Sequence, residues 1–193
     1  DEKVLVKNNY CMSKPSVDIV TGSNMAGKST FLRALGANMV LAYLGAPVCA
    51  SSMSVSRVNL LTYMRIIDSL ETNTSTFKAE LNRLKMILTS IQEKPDSIVL
   101  IDEMLRGTNS GDKYQGSKSF ILKMKASNIP TLFATHDLQL SELEKDLKGQ
   151  IRNYHFDILI TENEMRFDYL LKDGPCVVFN AKILLKEIGL SVE

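Results

Sequence analysis

Histidine and cysteine are scarce in this sequence: two and three residues among 193. His136 and His155 lie far apart, and Cys11, Cys49 and Cys176 form no CxxC pair. That leaves almost no material for a zinc cage, and no zinc is expected. An odd, scattered set of thiols also argues against a disulfide framework and suits a reducing compartment. An excess of one charge is missing too, with 23 Lys+Arg against 22 Asp+Glu and a net charge of +1. Such balance argues against a dedicated nucleic-acid arm or a membrane-surface patch within this segment. No apolar run approaches the ~18 residues that would span a bilayer, so no membrane contact is expected from this segment. No signal peptide, internal repeat, low-complexity tract or Pro/Gly/Ser linker is visible in these residues. The expectation is a cytoplasmic protein, and a chain that starts at Asp1 reads as a piece of a longer one.

What is present is the balance of an ordinary globule, 45% hydrophobic and 23% charged. A chain of this size can bury ~70% of its extended surface, enough for one domain over 1–193 without staples. Apolar runs alternate with helical patterns. Val17–Val20 reads as a short strand, followed by a Gly-rich turn and a helix from Ser29 to Leu44, with Gly45 and Pro47 as stop signals. Val55–Arg65 reads as extended. Thr76–Ile91 reads as a helix with Phe77, Leu81, Leu84 and Leu88 on one face, ended by Lys94-Pro95-Asp96. Ser97–Ile101 is a continuous apolar run, as for a strand buried on both faces of a parallel sheet. A helix over Asp112–Ala126, a buried strand over Thr131–Ala134 and a helix over Leu138–Leu147 follow. Asn153–Thr161 and Glu164–Leu171 then read as antiparallel strands, a hairpin spanning 151–172, and a terminal helix is expected within 179–189. This alternation predicts an α/β fold with a mostly parallel sheet flanked by helices and a C-terminal antiparallel hairpin.

Gly22-Ser23-Asn24-Met25-Ala26-Gly27-Lys28-Ser29 fits G-x-x-x-x-G-K-[ST], the phosphate-binding loop of P-loop NTPases. Its glycines let the backbone curl so that N–H groups point inward at phosphate oxygens. Lys28 places a point charge on the β/γ-phosphates, and Ser29 offers a hydroxyl to Mg²⁺. The helix that follows directs its positive end at the anion. The alternative, an ordinary strand–turn–helix connection, is weakened by the motif's position between a predicted strand and a predicted helix.

Ile98-Val99-Leu100-Ile101-Asp102-Glu103 places Asp102 80 residues after Gly22. An apolar strand ending in two acids could be a solvated strand end. Beside a phosphate loop it supplies Asp102 for the metal and Glu103 to orient and deprotonate the attacking water. Phe133-Ala134-Thr135-His136 repeats the geometry, and His136 could donate to the γ-phosphate or to that water; a structural histidine is the even alternative. Ser75 opens a helix, where it reads as an N-cap without a capping box or as a serine that binds a partner subunit's phosphate; the roles are compatible. Arg106–Gly111 reads as a loop beside the site.

Together these segments resemble the MutS family of ABC-class ATPases. TGSNMAGKST at 21–30 is similar to the family's phosphate loop, IVLIDEMLRGTNS at 98–110 to its acidic strand and loop, NTSTFKAEL at 73–81 to its signature segment, and FATHDLQLSEL at 133–143 to its histidine loop. The resemblance covers about residues 4 to 172. It implies ATP and Mg²⁺ as cofactors, with Gly22 through Thr30 around the nucleotide and Lys28 and Asn24 on its phosphates. Ser29 and Asp102 would serve Mg²⁺, Glu103 would activate water, and His136 would sense the γ-phosphate. Ser75 would reach the γ-phosphate held by the other subunit, giving composite sites in a homodimer joined through ATP-sandwiched faces. His155 matches a position near the adenine, and the entry segment Val6–Asn9 also lies near the base but lacks the aromatic often found there. The phosphate loop has Ser23 and Ala26 where mismatch-repair members have Pro and Gly. Leu105 stands where Gly is usual, and Pro175-Cys176-Val177-Val178 replaces a small-residue stretch. The implied activity is ATP hydrolysis in a DNA mismatch-repair or DNA-processing protein, with DNA bound by domains outside this segment. The alternatives are a nucleotide-gated assembly switch with negligible turnover, or another ABC-type ATPase of the chromosome-organising class; the sequence has neither a coiled-coil insertion nor a transporter-type signature.

Overall fold

The computed structural model describes residues 5–23, 25–64, 76–161 and 164–176. In chain order these form strand β1 (Val17–Thr21), helix α1 (Lys28–Tyr43), strand β2 (Asn59–Tyr63), helix α2 (Thr76–Glu93), strand β3 (Ser97–Asp102), helix α3 (Ser110–Ala126) and strand β4 (Thr131–Ala134). A 3-10 turn over Leu138–Glu142, a short helix α4 (Leu143–Asp146), and strands β5 (Ile151–Thr161) and β6 (Glu164–Asp173) complete them. The strands make one sheet in the order β2-β3-β4-β1-β5-β6. Every neighbouring pair is parallel except β5 with β6. The mixed α/β fold with its antiparallel C-terminal hairpin is therefore as expected. The expected terminal helix over 179–189 lies outside the described residues.

The central strands are apolar on both faces because both faces are covered. Alternate residues of one strand enter opposite layers. Ile19, Val99, Ile101 and Phe133 pack with Leu84, Ile87 and Ile91 of α2 and Phe120, Ile121 and Met124 of α3. Val20, Leu100, Leu132 and Ala134 pack with Leu32 of α1 and Phe156 of β5.

Asp18 interrupts this pattern within β1. Asp18 is wholly buried in β1, and its β5 neighbour in register is Arg152. Arg152 Nε donates to Asp18 Oδ1 at 2.9 Å, Tyr10 donates to Oδ2 at 2.7 Å, and Ser16 donates to Oδ1 at 2.8 Å. A buried carboxylate is tolerable only when so satisfied. Burial and the adjacent Asp18 charge push the Tyr10 phenol far above its usual range. Tyr10 also meets Phe31 and Tyr154 edge-on, so the cluster pins the entry segment across the sheet.

Three expectations differ from the structure. The helix expected over Leu138–Leu147 is a 3-10 turn followed by four α-helical residues. Ser141 Oγ donates back to the Leu138 carbonyl at 2.6 Å, a local bond that competes with regular helix. The extended segment expected from Val55 pairs only over Asn59–Tyr63, because β3 offers partners only from Ser97 onward. On α2 the buried stripe is Glu80, Leu84, Ile87 and Ile91, with Phe77 and Leu88 partly buried and Leu81 44% exposed. The helix is rotated from its apolar average because the carboxylate of Glu80 is recruited inward.

Candidate functional site

β1, β3 and β4 lie side by side and end together, which gathers three loops at the carboxyl edge of the sheet, where open α/β sheets bind ligands. The first loop leaves β1 at Gly22 with φ 137°. A Cβ there would come within 2.6 Å of the Phe156 carbonyl oxygen, so any larger residue meets both backbone strain and a clash. Gly27, at φ 113°, ends the loop as the N-cap residue of α1 and brings no capping side chain. The first turn of α1 carries no acidic residue, so its positive end stays uncompensated from within the helix.

Lys28 is 2% exposed and curls back over the loop. Its Nζ donates to the carbonyls of Gly22 at 2.6 Å and Ser23 at 2.7 Å. Burial lowers its pKa below the ordinary value, and the charges of Glu103 and Asp102 work against that shift. Ser29 Oγ donates to Asp102 Oδ1 at 2.8 Å, joining the start of α1 to the end of β3. Within the loop, Ala26 is buried, Met25 is 73% exposed, and Ser23 Oγ is buried with no hydrogen-bond partner among the described residues. Thr30 faces solvent in the first turn of α1, and Asn24 lies outside the described residues.

Glu103 follows with φ 53°, a left-handed conformation in a non-glycine residue. Such strain concentrates at functional sites. Its backbone N–H donates to the Ala134 carbonyl at 3.0 Å, which ties the turn to the end of β4. His136 Nδ1 stands 2.8 Å from Glu103 Oε1, and Arg106 Nε stands 3.3 Å from Oε2. Burial pushes the Glu103 carboxyl up. The hydrogen bond and charge of His136, then the charges of Arg106 and Lys113, outweigh it and hold the group below the usual range.

Leu105 also adopts a left-handed conformation, φ 57°. Glycine reaches that region freely. Leu105 holds it by burying its side chain over Gly116, where a Cβ would approach Leu105 Cδ1 to 2.3 Å. The loop then rests on α2: the backbone amide of Arg106 donates to Glu80 Oε1 at 3.3 Å, and a Cβ on Gly107 would meet Phe77 Cβ at 3.1 Å.

Lys28, Ser29, Asp102, Glu103 and His136 thus converge. His155 lies next to Thr21 across the β1–β5 pairing, with Nδ1 donating to the Gly174 carbonyl at 2.9 Å and Nε2 3.4 Å from Asp157 Oδ1. Both ring nitrogens are therefore engaged within the hairpin. Ser75 lies outside the described residues.

Tyr169 is a residue that sequence reasoning missed. Its ring stacks on Phe167, is 44% exposed, and stands 3.3 Å from the position of a Cβ on Gly27. It sits at φ 54° in a bulge of β6, where three residues oppose Asp157 alone. Asp168 accepts from the Leu170 amide at 3.0 Å, and Lys172 bridges Asp168 and Asp157. Asn8 of the entry segment donates to the Tyr169 carbonyl at 2.9 Å and accepts from the Leu171 amide at 2.7 Å. The signal in the sequence was weak: an aromatic inside a hairpin strand looks like any other.

The family model for MutS domain V matches residues 18–181, most of the chain. The chain belongs to the MutS family. It is 36% identical over 161 residues to the DNA mismatch repair protein MutS of Aquifex pyrophilus, covering 82% of this chain and 18% of that protein. It is 34% identical over 170 residues to MutS protein homolog 4 of Homo sapiens, covering 86% of this chain and 17% of that one. With the DNA mismatch repair protein MSH4 of Arabidopsis thaliana the figures are 32% over 189 residues, 95% and 23%. The chain spans about a fifth of the length of the curated relatives it matches. No helix among the described residues is long and apolar enough to cross a membrane.

Proposed function

We propose that this chain is a Mg²⁺-dependent ATPase domain of a MutS-type DNA-processing protein. The observation that carries the reading is the Ser29–Asp102 contact at 2.8 Å, made from the first turn of α1, beside the Glu103–His136 contact at 2.8 Å. Ser29 and Asp102 are hard oxygen donors and fit Mg²⁺, which when bound would neutralise phosphate charge. The glycine loop acts as the phosphate-binding loop. Lys28 exchanges its two loop carbonyls for phosphate oxygens, which suits a buried ammonium better than neutral acceptors do. Asn24 and the backbone from Gly22 to Thr30 surround the phosphates, and Tyr169 offers its exposed ring face to the base beside Gly27. Glu103, held ionised by its cationic neighbours, accepts the proton of the attacking water. His136 fixes that carboxylate from the end of β4.

The working unit is a homodimer with ATP between its faces, in which Ser75 of each subunit completes the other's site. DNA is bound by parts of the parent protein beyond this segment. The engagement of both Glu103 oxygens, by His136 and Arg106, favours as a second reading a nucleotide-gated switch that turns over only when Arg106 lets go.

Phosphate release in Mg²⁺ is the test, with Glu103→Gln as the paired variant. Loss of a general base lowers kcat by about 100-fold or more, with ATP binding retained. Equal turnover in the two proteins would remove Glu103 as the base. Measurable binding with no turnover in either would favour the switch.

A further inference from the structure

Glu80 is a buried acid that the proposed chemistry does not use. It lies one turn into α2 and is 6% exposed. Such a group costs free energy unless donors meet its oxygens. Asp18 meets that demand with the Arg152 guanidinium and two hydroxyls. Glu80 meets it with backbone. The amide of Arg106 donates to Oε1 at 3.3 Å and that of Gly107 to Oε2 at 3.4 Å. Two successive amides converging on one anion are an arrangement that loops use to bind anions. Here the anion is a side chain of another helix. The Tyr63 hydroxyl, at the end of β2, is a further buried donor with no hydrogen-bond partner among the described residues. Burial, then the charge of Glu80 nearby, pushes that phenol far above its usual range.

The loop so held carries a group that touches the reacting end of the site. Arg106 Nε stands 3.3 Å from Glu103 Oε2, and Arg106 Nη2 donates to the Asp102 carbonyl at 3.2 Å. The guanidinium is aimed by its own main chain, and Glu80 fixes that main chain. α2 also packs flush on the loop. A Cβ on Gly107 would stand 3.1 Å from Phe77 Cβ and 3.4 Å from the Phe77 backbone nitrogen. A shift of the first turns of α2 therefore carries the loop with it. α2 begins at Thr76, next to Ser75. In the dimer reading, the helix that reaches the partner's nucleotide thus also holds this loop of its own subunit.

We propose that Glu80 is a positioning residue: through the amides of Arg106 and Gly107 it sets the Arg106 guanidinium on Glu103, and so links the first turns of α2 to the rate of hydrolysis. The assignment rests on the reading of Glu103 as the base.

The test is Mg-ATP turnover at saturation, with Mg-ADP binding by calorimetry, on the whole chain. Wild type is compared with Glu103→Gln, Glu80→Gln, Glu80→Asp, Arg106→Met and the double variant Glu80→Gln/Arg106→Met. Glu80→Gln keeps the size of the side chain but turns an NH2 group toward donors. It lowers kcat about 10-fold, as a small misplacement at a reacting group does, while the Kd for ADP changes less than about 2-fold. Arg106→Met lowers kcat to a similar level. Adding Glu80→Gln to it costs less than about 2-fold more, because the two residues act through one contact. A merely structural role would add its full loss in that background. Glu80→Asp, which keeps the charge with a shorter reach, lowers kcat less and serves where Glu80→Gln does not fold. Retained ADP binding shows that each variant is folded. Wild-type kcat in both Glu80 variants, or an undiminished loss on top of Arg106→Met, overturns the assignment; a Glu103→Gln variant that still loses turnover leaves the base reading standing. Equal turnover in wild type and Glu103→Gln, nil included, overturns both.

Discussion

At Glu103, burial and hydrogen bonding act in opposite directions, and the bonds win. The carboxyl lies below its ordinary value of 4.5 because His136, Arg106 and Lys113 surround its ionised form. A folded pKa below the unfolded one means that the native state favours the carboxylate. That contribution to stability is present above the unfolded value and is lost as pH falls through the folded value. Thermal denaturation of wild type and Glu103→Gln checks this. Wild type is the more stable at about pH 7, and the gap closes below the ordinary carboxyl range. A gap that widens on acidification would mean that burial, not the cationic shell, governs this group.

At the scale of the element, α2 shows how a helix chooses its face. Its buried stripe follows Glu80, Leu84, Ile87 and Ile91 rather than the stripe through Leu81. Leu84→Ala therefore costs ~2–5 kcal/mol, as for other core leucines. Leu81→Ala stays within ~0.5 kcal/mol, as for exposed positions. Chemical denaturation of the two variants distinguishes them, and equal losses would restore the stripe read from apolar spacing. The loop from Glu103 to Gly107 depends on the same rotation, because Glu80 accepts the backbone amides of Arg106 and Gly107.

For the molecule as a whole, two predictions concern how parts are joined. Asp18, Arg152, Tyr10 and Ser16 fasten the entry segment to the sheet through one buried carboxylate. Asp18→Asn leaves Arg152 without its counter-charge and costs ~3 kcal/mol, read from the denaturation midpoint. An unchanged midpoint would mean that the cluster is not a fastening. The second concerns assembly. Turnover per molecule rises with chain concentration if each site is completed by the partner's Ser75, and Ser75→Ala abolishes the rise. Flat turnover that ignores Ser75 would confine that residue to capping a helix.

Much of this was legible in the residues. The continuous apolar runs Val17–Val20, Ser97–Ile101 and Thr131–Ala134 declare strands buried on both faces, and the glycines and acids at their ends announce where polar chemistry gathers. Local spacing suffices there, because a strand and its terminal loop are neighbours along the chain. It was also enough to identify the glycine loop, Lys28, Ser29, Asp102, Glu103 and His136 as one candidate set. Tertiary packing decided the rest. The left-handed turns at Glu103 and Leu105, the inward turn of Glu80, the Asp18–Arg152 pair, and the approach of Tyr169 and Lys113 to the site all depend on partners up to 163 positions away, as in the Asn8–Leu171 contact. Periodicity reports how one segment meets an average environment. Which atoms of another segment stand opposite, and so which proton, charge or strain a residue carries, is settled only when the sheet brings them together.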